Sequence, residues 1–372
     1  MDKRTVLAFL FIAVILMFTP YYYKMVGLAE RDDEKEPPPS TVRKEATEDL
    51  SPVARGEQAS AEPRQRAASR FALGAPQEDA VSFRVDSDLY SATVSSRGGG
   101  TFTSFKLKHY KTHGGDLVDL VYPPINGSNV VVQFKDLSGE TFTLDYPFSP
   151  PDAFYPGQTL PVGPGGLTLT FHTEIDGRTV SKAVTFHADS YIIDIRVDLS
   201  QISEQLISQE KFTLTWRGGL PATEENAPAD IREFAGFLYQ GGEQIRTKHK
   251  KSDVHAVAGT GRTAWAAIRS KYFTAALIPR DDSNFGQVVA GPYNPPREAD
   301  APPPDYSMAV GFSSKQPVLC SLYLGPLKYS RIKSLNVGLE NTMSFGISVI
   351  RPISKGVLLL LTSMHKIVPN YG

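Results

Sequence analysis

Between residues 81 and 312, apolar and polar residues alternate with a period of two in short runs separated by glycine turns. A period of two puts successive side chains on opposite faces of a strand, so each run buries one face only when it lies in a sheet. The alternation is clear in Val81-Ser82-Phe83-Arg84-Val85, in Leu167-Thr168-Leu169-Thr170-Phe171, across residues 191–199, and in Phe212-Thr213-Leu214-Thr215-Trp216. Turn signals stand between such runs at Gly98-Gly99-Gly100, Asn126-Gly127, Asp176-Gly177, Gly218-Gly219 and Gly241-Gly242. Residues 171–175 and 179–186 flank Asp176-Gly177-Arg178 and predict a β-hairpin. No fixed-period repeat is present. The expected fold is mainly β: a large antiparallel β-sandwich domain over residues 81–340, with two exposed loops at 221–231 and 292–304.

The two ends read differently. Residues 6–18 are an uncharged apolar run preceded by Lys3 and Arg4. Its apolar side chains are Val6, Leu7, Phe9, Leu10, Phe11, Ile12, Val14, Ile15, Leu16 and Phe18, and Tyr21, Tyr22 and Tyr23 follow. Extended through the tyrosines it makes a helix of about 18 residues, roughly 27 Å long, enough to cross a hydrocarbon core. The leading basic residues favour a cytoplasmic N-terminus, with the rest of the chain outside. Small residues at Gly27-Leu28-Ala29 also fit a cleavable signal peptide, but Pro20, the tyrosines and Lys24 intervene and favour an uncleaved anchor over residues 1–25. Residues 26–80, with mixed-sign charge and Pro37-Pro38-Pro39, read as a disordered tether. Residues 341–372 read as an interfacial amphipathic helix, its apolar face built from Ile353, Val357, Leu360, Leu361, Met364 and Ile367.

Composition narrows the function classes. A net charge of −1 offers no electrostatic footprint for nucleic acid. The single cysteine, Cys320, excludes an internal disulfide framework and any cysteine-cluster metal site, and its apolar surroundings predict a buried strand. His109 and His113 are four residues apart but beside a turn signal and without a third ligand, so no metal or other cofactor is expected. Walker and dinucleotide fingerprints are missing. His172 and Glu174, with His187 nearby, are the residues that a sugar-binding or mutarotase-like reading would need as acid and base. Arg246, Lys248, Lys250 and Lys251 form a basic cluster, read as a solvated hairpin flank.

Several stretches, in order, resemble the YidC-type membrane protein insertases. They are Ser95-Ser96-Arg97-Gly98-Gly99, then residues 265–279 with Tyr272-Phe273 and Ile278-Pro279, then Tyr323-Leu324-Gly325-Pro326, and finally Asn370-Tyr371-Gly372. The resemblance implies a β-supersandwich periplasmic domain like that of mutarotase-type folds, on the outer side of the bacterial inner membrane. It implies a non-enzymatic role in inserting and folding inner-membrane proteins. Its partners would be nascent membrane proteins, the phospholipid bilayer, the Sec translocon and SecDF. The membrane-embedded groove of that family and its arginine would lie beyond Gly372. A second reading makes the domain a docking scaffold for translocon accessory proteins.

Overall fold

The computed structural model describes residues 79–121, 129–151, 153–293 and 303–343. The expected anchor, nearly all of the tether and of the C-terminal amphipathic helix, Asn126-Gly127 and most of the 292–304 loop lie outside the described residues; the expected start of that helix is corrected, since Asn341 and Thr342 belong to a 3-10 turn. Among the described residues no helix is long and apolar enough to cross a membrane.

The first strands are β1 (Ser82–Asp86), β2 (Tyr90–Ser95), β3 (Thr101–Lys111), β4 (Leu117–Asp119), β5 (Val131–Asp136), β6 (Thr141–Thr143) and β7 (Thr159–Pro161). Then come β8 (Leu167–Ile175), β9 (Arg178–Phe186), β10 (Ile192–Asp198), β11 (Ile207–Trp216), β12 (Ala235–Gln240) and β13 (Glu243–Thr247). The last are β14 (His255–Ala258), β15 (Thr263–Arg269), β16 (Phe273–Pro279), β17 (Phe285–Ala290), β18 (Tyr306–Ser313) and β19 (Val318–Pro326). Helices are short: α1 (Ser203–Leu206), α2 (Ala227–Ile231) and α3 (Tyr329–Lys333), with a 3-10 turn at Leu339–Thr342.

The strands form an eight-stranded sheet (β13-β12-β15-β16-β19-β10-β9-β8), a five-stranded sheet (β4-β3-β2-β1-β7) and a six-stranded sheet (β14-β17-β18-β11-β5-β6). Every described pairing except β1–β7 is antiparallel. Register shows how they stack. Val184 stands opposite Ile195, Ile195 opposite Cys320, Leu277 opposite Leu322, Ala266 opposite Leu277 and Leu238 opposite Ala266. Residues directly opposite in a pair point to the same side, so these share one face of the large sheet.

Both smaller sheets cover that face, side by side. The five-stranded sheet packs on the β8–β10 half, where Phe83 meets Phe171 and Phe102 meets Phe186 with ring centroids 6.3 and 6.1 Å apart. On the other half, β17 lies against β12 and β15, and β18 against β15 and β16. These rings are essentially solvent-free, and each buried aromatic contributes about 2–3 kcal/mol of transfer free energy. The opposite face of the large sheet is divided. The segment after β19 covers the β12–β19 half, with Trp265 Nε1 donating to the Val337 carbonyl at 2.9 Å and Ile332 and Leu339 fully buried. The β8–β10 half presents His172 and Glu174 to solvent.

The mainly β antiparallel sandwich expected from the alternation is present. The hairpin at Asp176-Gly177 closes with Ile175 opposite Arg178, and both turn residues take positive φ, 49° and 69°, the I′-type geometry whose twist matches the strands. Trp216, Trp265 and Cys320 are buried, each in a strand. The exposed loop expected at 221–231 is corrected by the structure. Asn226 caps α2 by accepting from the Ala229 N–H at 3.1 Å, and Asp230 is fully buried. Its carboxylate accepts from the Thr223 N–H at 2.8 Å and the Lys271 N–H at 3.3 Å, so a polar sequence is drawn inward by backbone donors that need a partner.

Candidate functional site

The stretches carrying the resemblance fall into two corners of the fold. The first is the turn between β2 and β3. Gly98, Gly99 and Gly100 all have positive φ, and a Cβ on Gly99 would lie 2.9 Å from the Phe148 ring, so only glycine fits. Arg97 leaves this turn to donate to the Asp145 carbonyl at 2.9 Å, with the Asp145 carboxylate 3.8 Å away. Arg217 approaches the same carboxylate at 3.7 Å.

Lys182 completes this corner, and the motif reading missed it. On β9 it alternates inward with Val180 and Val184 and is 1% exposed. Its Nζ donates to the Gly98 carbonyl at 3.0 Å and to the Val130 carbonyl at 2.6 Å. Lys182 belongs to the eight-stranded sheet, Gly98 to the turn of the five-stranded sheet, and Val130 precedes β5 of the six-stranded sheet. One side chain therefore ties all three sheets. Burial pushes its pKa down to about 7, with the Asp145 carboxylate opposing. The signal was in the sequence: strict alternation places Lys182 in the inward register of its valine neighbours.

The second corner joins β16 and β19. Phe273 stands opposite Pro326, Ala276 opposite Tyr323 and Pro279 opposite Cys320. Tyr272, Phe273, Gly325 and Pro326 thus meet at one end of the pair, with Tyr323 further in and Pro279 at the far end. The Tyr323 hydroxyl donates to the Pro326 carbonyl at 2.7 Å. A Cβ on Gly325 would stand 2.7 Å from Cγ of Tyr191, so that ring lies directly on the glycine backbone. Tyr110 meets Phe273 edge-on at 5.7 Å. Burial pushes the Tyr191 pKa up to about 12. Tyr272 itself is 45% exposed, with Lys271 Nζ 4.7 Å above its ring.

The remaining candidates are scattered. His172 and Glu174 point to the same side of β8, as the period predicts, but His187 pairs with Asp194 at 2.9 Å and not with them. Burial raises the thiol pKa of Cys320. His109 is exposed on β3 and His113 in the turn beyond it. In the basic cluster, Arg246 stacks over Phe237 at 5.5 Å and Lys248 donates to the Arg232 carbonyl at 2.8 Å. Buried Arg269 also escaped the sequence reading; it donates to the Thr342 carbonyl at 2.7 Å and pairs with Glu233 at 3.0 Å. Its signal is only its place at the end of an apolar strand.

The sequence profile of the YidC periplasmic domain matches residues 82–357. The chain belongs to the YidC family. The membrane protein insertase YidC of Chlorobaculum parvum is 28% identical over 382 residues, covering 100% of this chain and 62% of that protein. The YidC of Pelodictyon phaeoclathratiforme is 31% identical over 306 residues, covering 78% of this chain and 50% of that protein. The chain thus spans about half to six-tenths of the length of these YidC proteins. Among solved structures, an α-N-acetylgalactosaminidase from Bifidobacterium bifidum overlaps 69% of this chain and 39% of its own, with a TM-score of 0.41 and 10% identity. That likeness carries no argument.

Proposed function

We propose that this chain is the anchor and periplasmic part of a membrane protein insertase. The observation that carries the reading is the match of the YidC periplasmic profile across residues 82–357, the whole sandwich included. Relatives named as insertases align along the entire chain, the apolar N-terminal run included. On this reading residues 1–25 anchor the chain with the N-terminus in the cytoplasm, residues 26–80 are the tether, and the part of 341–372 beyond the buried Thr342 forms an interfacial helix against the inner membrane. The sandwich is a rigid extracytoplasmic body that makes and breaks no bonds. Insertion lowers the cost of passing polar groups through hydrocarbon, several kcal/mol for each unsatisfied one. Its partners are nascent inner-membrane proteins and the bilayer, with the Sec translocon and SecDF as the assemblies it works beside.

A chimera tests this. Residues 1–372 replace the matching part of the Chlorobaculum parvum insertase, and insertion of a single-span client into vesicles is followed by protease protection. Protection at the level of the unaltered insertase is expected. Clients left as accessible as in vesicles lacking insertase would overturn the proposal.

A further inference from the structure

One end of the eight-stranded sheet gathers exposed basic side chains from several strand ends. Register brings together the start of β12, the end of β13, the turn between β15 and β16, and the end of β19. Ala235 stands opposite Arg269, Gly236 opposite Thr247, and Phe273 opposite Pro326. The chain flanking these strand ends carries Arg232, Lys248, Lys271, Lys328, Arg331 and Lys333, all exposed except half-buried Lys271. Residues 327–338 contain three of these cations and no carboxylate, in a chain whose net charge is −1.

Carboxylates at this end include Asp189, Glu224, Glu225, Glu233 and buried Asp230, which accepts from the Lys271 N–H at 3.3 Å. Glu233 is engaged by buried Arg269 at 3.0 Å and Glu224 by Lys271 at 3.7 Å, which leaves a cationic surplus on α3 and the Lys248 side. Three of the cations lie over tyrosine rings: Lys271 over Tyr272, Lys333 over Tyr329 at 5.4 Å, and Arg331 over Tyr191 at 5.8 Å. Tyr191 is only 3% exposed and belongs to the core, but exposed Tyr272 and half-buried Tyr329 beside their lysines suit the headgroup layer, where an amphipathic ring and a snorkelling cation each keep one end wet. Arg269 at this end holds the Thr342 carbonyl, while the preceding Asn341 carbonyl accepts from Gln244 Nε2 at 3.4 Å, beside the β12–β13 hairpin at the other end.

We propose that this end of the large sheet, centred on α3 and the Lys271-Tyr272 turn, docks on anionic phospholipid headgroups and sets the sandwich upright on the membrane. The inference rests on the insertase reading and adds a lipid contact and an orientation to it. Charge complementarity and the lysine–tyrosine pairs at Tyr272 and Tyr329 favour lipid as the occupant over a protein. Each basic side chain near an anionic surface adds about a fivefold gain in partitioning, weakened by salt.

The experiment uses the full chain in protein-free vesicles. A fluorophore is attached at Ser330→Cys on α3 or at Glu243→Cys at the opposite end of the sheet; Cys320 is buried and stays unlabelled. Quenching by a spin-labelled headgroup lipid is compared in vesicles with and without one-third phosphatidylglycerol. Docking predicts at least fivefold more quenching at residue 330 than at residue 243, only with the anionic lipid, and its loss at high salt. It also predicts its loss when Lys328, Arg331 and Lys333 are all changed to glutamine. Equal quenching at the two probes, or no effect of the triple change, overturns docking while vesicle flotation still reports anchoring. A chain that does not float at all overturns the membrane reading as well. Quenching restored only in native membranes containing protein would assign the patch to a protein partner and overturn the lipid assignment.

Discussion

Lys182 places a titratable nitrogen where three sheets meet, and its two acceptors are backbone carbonyls. A neutral amine has two hydrogens, one for each carbonyl, so the bonds persist when the charge is lost. The folded pKa of about 7 lies below the unfolded 10.5, so between those values the unfolded chain binds more protons. Stability therefore rises as pH increases from about 7 toward 10.5, and falls as pH drops back through that window. The contribution is on the order of a few kcal/mol across the range. Lys182→Met strands two buried acceptors and is expected to cost about 1–3 kcal/mol. It also removes this part of the pH slope. Urea unfolding of both proteins at pH 7 and pH 9 checks this; equal pH slopes would contradict it. The inward place of Lys182 was legible from alternation with Val180 and Val184. Its acceptors were not, because Gly98 and Val130 are brought to it by sheets whose stacking no local pattern encodes.

At the scale of elements, legibility followed sequence distance. The β8–β9 hairpin was readable because Asp176-Gly177 supplies the two positive φ values its turn requires and the flanking alternation fixes the register. The pairing of β16 with β19 joins residues 41 to 53 apart, and nothing local announces it. Tyr272-Phe273 and Gly325-Pro326 are separate motifs in the sequence, and the structure makes them neighbours. In α2 a polar run looked like exposed loop, yet buried Asp230 satisfies backbone donors on two segments. The β16–β19 corner gives a direct test at Gly325. An alanine methyl would force the Tyr191 ring off its seat, an overpacking cost of about 1–3 kcal/mol. Gly325→Ala should lower the urea midpoint and leave the far-ultraviolet signature of the sheets intact. An unchanged midpoint would show that the ring moves freely.

Across the whole molecule, the sandwich class follows from period-two runs, but the three-sheet arrangement does not. Two smaller sheets share one face of a long one, and that choice is made by ring packing such as Phe83 on Phe171 and Phe102 on Phe186. Half of the opposite face is then closed by the segment through Ile332, Val337 and Leu339. The expected organisation beyond this body is an N-terminal anchor, a tether and a membrane-lying C-terminal helix, with the sandwich outside the inner membrane. Protease added to intact spheroplasts measures that most directly. Cleavage within residues 26–80 without lysis is expected, while the sandwich beginning near Val81 stays resistant. A chain that is cut only after the membrane is opened would contradict it.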